Sequence, residues 1–304
     1  MAISPSFWAG FWRLADPKIS LASFASLFLG ACLAAHDGPL HWGWLALTVA
    51  GIFAIEVAKN ASGEIVDYDS GTDLAVAAED RSPFSGGKRV LVDRLLSRRE
   101  CAAIAAIGYL LGAAAGVAIV LGREPRVLLL GVVGVACAFF YHGPPLRLAY
   151  RGFGEAAVAL CYGPLIAAGA YLVQRGEVSR AVWLLSLPLG VLIGAFLWAN
   201  EFPDYRADLA CGKRNLVVRL GRAQAAEWFL VWIFLAFSLL AGALLAGAPL
   251  GAMAGAAAAI PAFKAVQRLL AAPESTPAVI PAQGLTLAAF VVYALAAGTG
   301  ILLA

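Results

Sequence analysis

The feature that most constrains this chain is the recurrence of long apolar runs without an acidic or basic side chain. The clearest runs are 101–122, 127–146, 156–174 and 181–200. A helix needs about 20 apolar residues to cross the hydrocarbon core of a bilayer. Only 13% of the residues are charged, against about 25% in a typical soluble domain. The runs therefore predict an all-α, polytopic membrane protein.

We predict nine transmembrane helices within a single domain that covers residues 1–304. The seventh and eighth helices share one uncharged run, 228–263, which we divide at Gly247-Ala248-Pro249 because these residues favour a turn. The predicted spans are approximately 18–35, 42–62, 101–121, 127–142, 154–173, 181–202, 226–246, 249–266 and 283–303.

The distribution of basic residues predicts the orientation of the chain in the membrane. Of the 22 Lys and Arg residues, only four belong to the segments after spans 3 and 5, namely Arg123, Arg126, Arg175 and Arg180. Basic residues favour the cytoplasmic side, so we expect a cytoplasmic N-terminus in the cell (inner) membrane. The first apolar run lacks an A-x-A cleavage pattern, so we do not expect a signal peptide. The net charge of +3 gives no indication of nucleic-acid binding.

Acidic residues are concentrated in two short stretches of the sequence. Nine of the 19 lie between Glu56 and Glu100, and three more lie between Glu201 and Asp208. Both stretches are on the side that carries most of the basic residues. Charged side chains at the ends of membrane spans are expensive to keep and mark a functional site by default.

Each acidic stretch places oxygen-bearing side chains on one face of a helix. The spacing is i, i+4, i+7 in the first stretch and i, i+4, i+8 in the second, and both spacings return to the same face. The first set is Asn60, Glu64 and Asp67, followed by Asp69 and Asp73 around Gly71, and the second set is Asn200, Asp204 and Asp208.

Carboxylates that converge on one cavity repel one another unless a cation holds them, and hard oxygen ligands of this kind select Mg²⁺. Basic, glycine-containing segments follow both stretches. They supply Arg81, Lys88 and Arg89 after the first, and Lys213, Arg214 and Arg219 after the second. This combination is typical of a site for a metal-bound diphosphate. The alternative interpretation is two solvated loops with ordinary surface charges.

At these residues the chain resembles the UbiA superfamily of intramembrane prenyltransferases. Asp204-x-x-x-Asp208, preceded by Asn200, is similar to the second aspartate-rich motif of that family, as is the following GKRNLVVRLG. The segments YDSGTD, RSPFSGGKR and 141–176 are most similar to the dihydroxynaphthoate prenyltransferases of menaquinone synthesis. One departure concerns the first motif, which usually opens with Asn-Asp. This chain has Gly63-Glu64 there.

The resemblance implies nine helices around a central cavity with cytoplasmic cap loops. It also implies Mg²⁺-dependent transfer of a prenyl group from a polyprenyl diphosphate to an aromatic acceptor at the cytoplasmic side. The predicted catalytic residues are Asp67, Asp204, Asp208 and Lys213; the predicted Mg²⁺ ligands are Glu64, Asp67, Asp73, Asp204 and Asp208; the predicted substrate-binding residues are Asn60, Lys88, Arg89, Tyr141, Arg147, Asn200 and Arg214.

Several alternatives stay open at the level of sequence. A related enzyme that cyclises the prenyl diphosphate, or uses a lipid or pigment acceptor, would share the diphosphate site. An ion-coupled transporter is a further alternative. It fits less well, because transporters place their carboxylates near the bilayer midplane, whereas the acidic residues of this chain are predicted at the ends of spans. Tyr141 fits either a role beside an allylic cation or the aromatic belt at the membrane interface. Arg147 fits either a substrate contact or a simple basic anchor.

Overall fold

The computed structural model describes residues 5–304, and every regular element in this range is helical. The helices are α1 (Pro5–Ala15), α2 (Pro17–His36), α3 (Trp42–Asp69), α4 (Thr72–Ala75), α5 (Arg98–Gly122), α6 (Val127–His142), α7 (Gly154–Arg175), α8 (Arg180–Ala210), α9 (Leu216–Leu220), α10 (Arg222–Leu245), α11 (Leu250–Ala271) and α12 (Thr276–Leu303). Single 3-10 turns lie at Ala78–Asp80 and Leu148–Tyr150. The predicted all-α class is therefore confirmed.

Eight helices of the described chain are long and apolar enough to cross a bilayer, namely α2, α3, α5, α7, α8, α10, α11 and α12. The 16-residue α6 is a shorter apolar helix. The prediction of nine spans therefore agrees with the structure to within one. A break between Leu245 and Leu250 separates α10 from α11 at the expected turn, where Gly247 has a φ of +88°.

Three helices extend beyond the predicted spans. Helix α3 continues to Asp69, α8 continues to Ala210, and α12 already begins at Thr276. About 20 apolar residues are enough to cross the hydrocarbon core, whereas these helices contain 28, 31 and 28 residues, so each continues into a more polar part of its sequence or into a preceding turn. Both acidic stretches therefore begin on regular helices. The first one leaves its helix at Gly71, whose φ of +81° separates α3 from α4.

Helix α8 lies at the centre of the bundle and packs against α2, α7, α10 and α12. Small residues permit this contact, as is usual between membrane helices. A Cβ atom at Gly190 would lie only 2.2 Å from the carbonyl oxygen of Ala159, and one at Gly163 would lie 2.4 Å from the Cα of Gly190. Large exposed side chains such as Leu110 and Leu129 lie on the outer helices α5 and α6, where lipid would surround them.

The segment between α4 and α5, residues 76–97, forms a cap over one end of the bundle. The ring of Phe84 packs edge-on against Phe196 of α8, with 6.0 Å between centroids. Asp80 accepts a hydrogen bond of 2.9 Å from the Thr276 hydroxyl at the start of α12. At the other end of the cap, a capping box between Ser97 and Glu100 begins α5. The cap is thus fixed to three helices.

Candidate functional site

A polar cavity of about 500 Å³ lies beneath the cap, between α2, α3, α6 and α8. Its lining includes most of the side chains that the sequence singled out. These are Asn60, Glu64, Asp67, Asp73, Lys88, Arg89, Tyr141, Asn200, Asp204, Asp208 and Lys213. The fold therefore brings the two acidic stretches and both basic segments to the same cavity.

Asp67 lies at the centre of a small polar cluster on the α3 side of the cavity. The hydroxyl of Tyr150 donates a hydrogen bond of 2.8 Å to its Oδ1. Nε2 of His142 lies 3.6 Å from its Oδ2. Sequence reasoning did not identify Tyr150, which comes from the turn after α6 and reaches Asp67 only through the folding of that turn.

The departure at Gly63 has a structural counterpart in His142. A Cβ atom at Gly63 would lie 2.8 Å from Cε1 of the His142 ring. The imidazole therefore occupies the space that a larger side chain at position 63 would need. Absence of a side chain at Gly63 is what allows α6 to present His142 towards Asp67.

Asp73 lies on α4, just outside the spanning part of α3, and is 3% exposed. Burial, together with the nearby carboxylates of Asp67 and Glu64, raises its pKa to about 8. Its Oδ2 has no hydrogen-bond partner in the described chain. A Cβ atom at Gly87 would lie 2.2 Å from Asp73 Oδ1, and Gly87 has a φ of +74°. The cap therefore needs glycine at this position to approach the carboxylate.

The second acidic face, on α8, carries several oxygens that make no hydrogen bond with residues 5–304. They are Oδ1 of Asn200, Oδ1 of Asp204 and Oδ1 of Asp208. Nδ2 of Asn215 donates a hydrogen bond of 2.7 Å to the other oxygen of Asp208, while Oδ1 of Asn215 caps α9 by accepting from the Val218 N–H. Asn215 thus orients Asp208, a role that its place in GKRN did not reveal.

Lys213 returns to the cavity because the chain turns at Gly212, which has a φ of +72°. Its Nζ lies 3.6 Å from Asp208 Oδ1. Burial alone would lower the pKa of Lys213, but the carboxylates of Asp208, Asp67 and Asp204 outweigh it and hold that pKa well above its usual value. Lys213 is therefore a fixed positive charge between the two acidic faces.

Three further predicted residues are held at the cavity by contacts with other segments of the same polypeptide. Lys88 forms an ion pair of 2.9 Å with Asp16, which precedes α2. Nη1 of Arg89 donates a hydrogen bond of 2.9 Å to the backbone carbonyl of Asp73. Nδ2 of Asn60 lies 3.4 Å from the carbonyl oxygen of Ala15.

Glu64 faces the cavity but is partly engaged in holding the cap. Its Oε1 accepts a hydrogen bond of 2.8 Å from the backbone N–H of Leu91, and its side chain is buried. This contact gives Glu64 a structural role alongside the metal-binding role that the sequence predicts.

Two predicted substrate-binding residues lie outside the cavity. The guanidinium of Arg147 stacks on the ring of Tyr150 at 4.2 Å. Arg214 is exposed, and its backbone N–H donates a hydrogen bond of 3.2 Å to the Tyr150 carbonyl. Both arginines therefore support the turn that carries Tyr150, and neither lines the cavity.

The donor set fits a divalent cation that is bound together with a phosphate. Within residues 5–304, no three His, Cys, Asp or Glu side chains converge as a ready-made metal cluster. Mg²⁺ does not require one, since it is commonly held by one or two carboxylates together with substrate phosphates and water. Asp73, Asp204 and Asp208 each have one oxygen that accepts no hydrogen bond within the described chain, and they face the same space as Lys88, Arg89 and Lys213. These are the hard ligands and the counter-charges that a metal–diphosphate needs.

An apolar crevice of about 210 Å³ adjoins the polar cavity, between α3, α5, α6 and α7. Small residues such as Gly112, Gly131 and Gly134 line much of it. Lys59 and Tyr141 line both the crevice and the polar cavity. The two spaces therefore meet at these side chains.

Comparison with known proteins agrees with this geometry. The profile of the UbiA prenyltransferase family matches residues 23–284. A relative from Bacillus subtilis (strain 168), a 1,4-dihydroxy-2-naphthoate octaprenyltransferase, is 28% identical over 217 residues, which are 70% of this chain and 67% of that protein. The apo structure of a UbiA homolog from Aeropyrum pernix K1 has a TM-score of 0.70 at 20% identity, over 94% of this chain and 98% of the other. A UbiA homolog from Archaeoglobus fulgidus bound to DMAPP and Mg²⁺ has a TM-score of 0.63 at 15% identity, over 95% and 99%.

Proposed function

Because this chain belongs to the UbiA prenyltransferase family, we propose that it transfers a polyprenyl group from a polyprenyl diphosphate to an aromatic acceptor of the dihydroxynaphthoate type. The observation that carries the proposal is the polar cavity itself. Two acidic helix faces and several basic side chains, among them Lys88, Arg89 and Lys213, surround a space that opens into an apolar crevice. A diphosphate headgroup suits the first space and apolar substrate parts suit the second. The reactions of the B. subtilis relative and the ligands of the A. fulgidus homolog support this assignment.

Asp67 and Asp73 on one side, and Asp204 and Asp208 on the other, would hold Mg²⁺ together with the diphosphate. Glu64, whose Oε1 accepts from the Leu91 N–H, would be a further ligand. Bound Mg²⁺ supplies positive charge next to the departing phosphate oxygens.

Lys88, Arg89 and Lys213 bind the non-bridging oxygens of the diphosphate. When the allylic C–O bond breaks, its electron pair leaves with the diphosphate, so negative charge grows there. Cations that are already in position stabilise this charge more in the transition state than in the ground state. Lys213 is suited to this role because the three carboxylates around it keep it protonated.

The electron-rich ring carbon of the acceptor then forms the new C–C bond with the allylic carbon. The substituent that the ring carbon carried leaves without its bonding electrons. Tyr141 lies where the polar cavity meets the crevice, and its ring face stabilises the allylic cation. The cap limits access of water, which would otherwise quench the cation.

The cavity lies at the end of the bundle where most basic residues are found, which the positive-inside rule assigns to the cytoplasm. We therefore place the cavity at the cytoplasmic face of the cell membrane, where a water-soluble aromatic precursor has access. The whole chain acts as one transmembrane domain.

The experiment that tests the proposed function is mass spectrometry of the products formed by the purified protein. The protein is offered several prenyl diphosphates, each with and without dihydroxynaphthoate or another aromatic acceptor. We expect a prenylated acceptor together with released diphosphate. Diphosphate release with an acceptor-free, rearranged prenyl product would instead indicate a cyclase. Absence of any prenylated product from the whole panel would contradict the proposal.

A further inference from the structure

Lys59 is a charged side chain that the diphosphate site leaves without a partner. It is located on α3, eight residues before Asp67. Lys59 therefore lies about 12 Å further from the polar end of the helix than Asp67 does. Among residues 5–304, its Nζ makes no hydrogen bond and has no carboxylate within ion-pairing distance; it lies over the Tyr141 ring, 5.3 Å from the centroid. Glu56, Asp16 and Asp67 act on Lys59 electrostatically from a longer distance. A lysine at this depth that no carboxylate contacts directly indicates a site for an anion.

Glu56 lies three residues before Lys59 and therefore on the same face of α3. It is 5% exposed and lines the crevice. The hydroxyl of Ser23 donates a hydrogen bond of 2.9 Å to Oε2, while Oε1 makes no hydrogen bond of normal geometry within the described chain. The hydroxyls of Tyr162 and Ser20 lie close to the carboxylate. A buried acceptor atom whose hydrogen bond is not formed is costly, so Glu56 also fits a ligand that brings a donor.

The diphosphate is the first anion to consider for Lys59, but the geometry favours another. Lys88, Arg89 and Lys213 already face the diphosphate space near Asp67 and Asp208. Lys59 lies deeper, where the cavity continues into the apolar crevice, and the crevice contains no other basic side chain. A ligand that fits here combines an apolar ring, an acidic group and a hydrogen-bond donor.

We propose that Lys59 and Glu56 are the residues that recognise the aromatic acceptor. Nζ of Lys59 binds a carboxylate on the ring, and Oε1 of Glu56 accepts a hydrogen bond from a ring hydroxyl. The ring then lies beside Tyr141, at the junction with the diphosphate space. This inference rests on the proposed function and names the side chains that select a hydroxylated aromatic acid as its acceptor.

The test is a comparison of Lys59→Met with the wild type in steady-state transfer assays. Two acceptors are used, 1,4-dihydroxy-2-naphthoate and the same ring without its carboxylate. We expect the KM for the carboxylated acceptor to rise at least about tenfold in the variant, the size expected for losing one charge-assisted hydrogen bond. The KM for the prenyl diphosphate stays within about twofold. The ring without the carboxylate shows no such difference, and Lys59→Arg recovers part of the loss.

Lys264→Met is the matched control, because Lys264 is exposed on α11 and lies away from both spaces. A rise in the KM for the diphosphate, or an equal loss with both acceptors, would overturn the inference. If Lys59→Met fails to fold, inhibition of the wild type by 2-naphthoate decides the matter. Competition against the acceptor supports the inference, and competition against the diphosphate alone, or no inhibition, refutes it.

The same assays separate this inference from the proposed function. Wild-type protein that prenylates neither acceptor nor any other aromatic compound would remove the proposed function. Wild-type protein that prenylates both acceptors, with Lys59→Met unchanged, would leave the proposed function intact and remove only the role of Lys59.

Discussion

Substitution of Gly87 by alanine tests whether the cap positions a metal-binding carboxylate. The new Cβ atom would lie 2.2 Å from Asp73 Oδ1 and 2.6 Å from its Cγ, distances that no real Cβ contact shows. Asp73 must therefore move or the cap must lift. The φ of +74° adds backbone strain of about 1–2 kcal/mol for a residue with a Cβ atom. Turning Asp73 about 30° off its rotamer to relieve the clash costs about 0.5–1.5 kcal/mol. If the metal-bound state bears this cost, the apparent affinity for Mg²⁺ weakens roughly two- to twelvefold.

Gly247→Ala is a matched control for the backbone strain. Gly247 has a φ of +88°, so alanine carries a comparable strain there, but an added Cβ would meet nothing within 4 Å, and the residue lies away from the cavity. Both variants should lose thermal stability through this strain, and Gly87→Ala should lose more because of its clash. Only Gly87→Ala should need more Mg²⁺ to reach half-maximal prenyl transfer. Equal Mg²⁺ requirements for the two variants would refute the assignment of Asp73 to the metal site.

Three further predictions follow from the same cavity. Asn215→Ala removes both the cap of α9 and the hydrogen bond to Asp208. The melting temperature should therefore fall by an amount equivalent to about 1 kcal/mol, and the Mg²⁺ concentration needed for half-maximal transfer should rise. An unchanged Mg²⁺ requirement would show that Asp208 does not bind the metal. Glu64→Gln retains an oxygen for the Leu91 N–H but removes the charge, so it should fold normally yet lose rate at limiting Mg²⁺. Glu64→Asp keeps the charge but shortens the side chain that holds Leu91, so it should keep activity at a lower melting temperature. Wild-type behaviour of the Gln variant would leave Glu64 with only its structural role. Because the pKa of Asp73 is raised to about 8, protons compete with the metal for this carboxylate below that pH. The Mg²⁺ concentration needed for half-maximal transfer should therefore increase as the pH falls from 9 to 7. A Mg²⁺ requirement that is independent of pH would contradict this prediction.

The bundle was predictable because membrane insertion leaves few solutions for a chain with such long apolar runs. The acidic faces were predictable for a related reason, since residues such as Asp204 and Asp208 lie one helical turn apart on a helix whose existence the sequence already indicated. Helical periodicity then defines the shared face without knowledge of the tertiary fold.

The remaining parts of the site depend on chain reversals that periodicity does not describe. Tyr150 reaches Asp67 across 83 residues of sequence, through a turn that follows α6. Arg147, in the same turn, was expected at the substrate because of its charge, but it stacks on the ring of Tyr150 and does not line the cavity. Gly87 approaches Asp73 only after the cap folds back over α4. In each case the direction of a loop, rather than the type of residue, determines which side chains enter the cavity.

The most direct test of the two acidic faces as a metal–diphosphate site is the transfer rate of Asp204→Asn beside that of Asp69→Asn, each with Mg²⁺ and with excess EDTA. Both substitutions remove one carboxylate charge and keep the shape. Asp204 is half-buried and lines the cavity, and its Oδ1 has no hydrogen-bond partner in the described chain. Asp69, in contrast, is exposed and pairs with Arg98 at 2.7 Å. We expect Asp204→Asn to lower the transfer rate by orders of magnitude while the protein still folds and inserts into the membrane. The transfer rate of Asp69→Asn should stay near that of the wild type. Excess EDTA should abolish transfer by every active form. Equal rates for the two variants, or transfer that persists in EDTA, would contradict the proposed metal–diphosphate site.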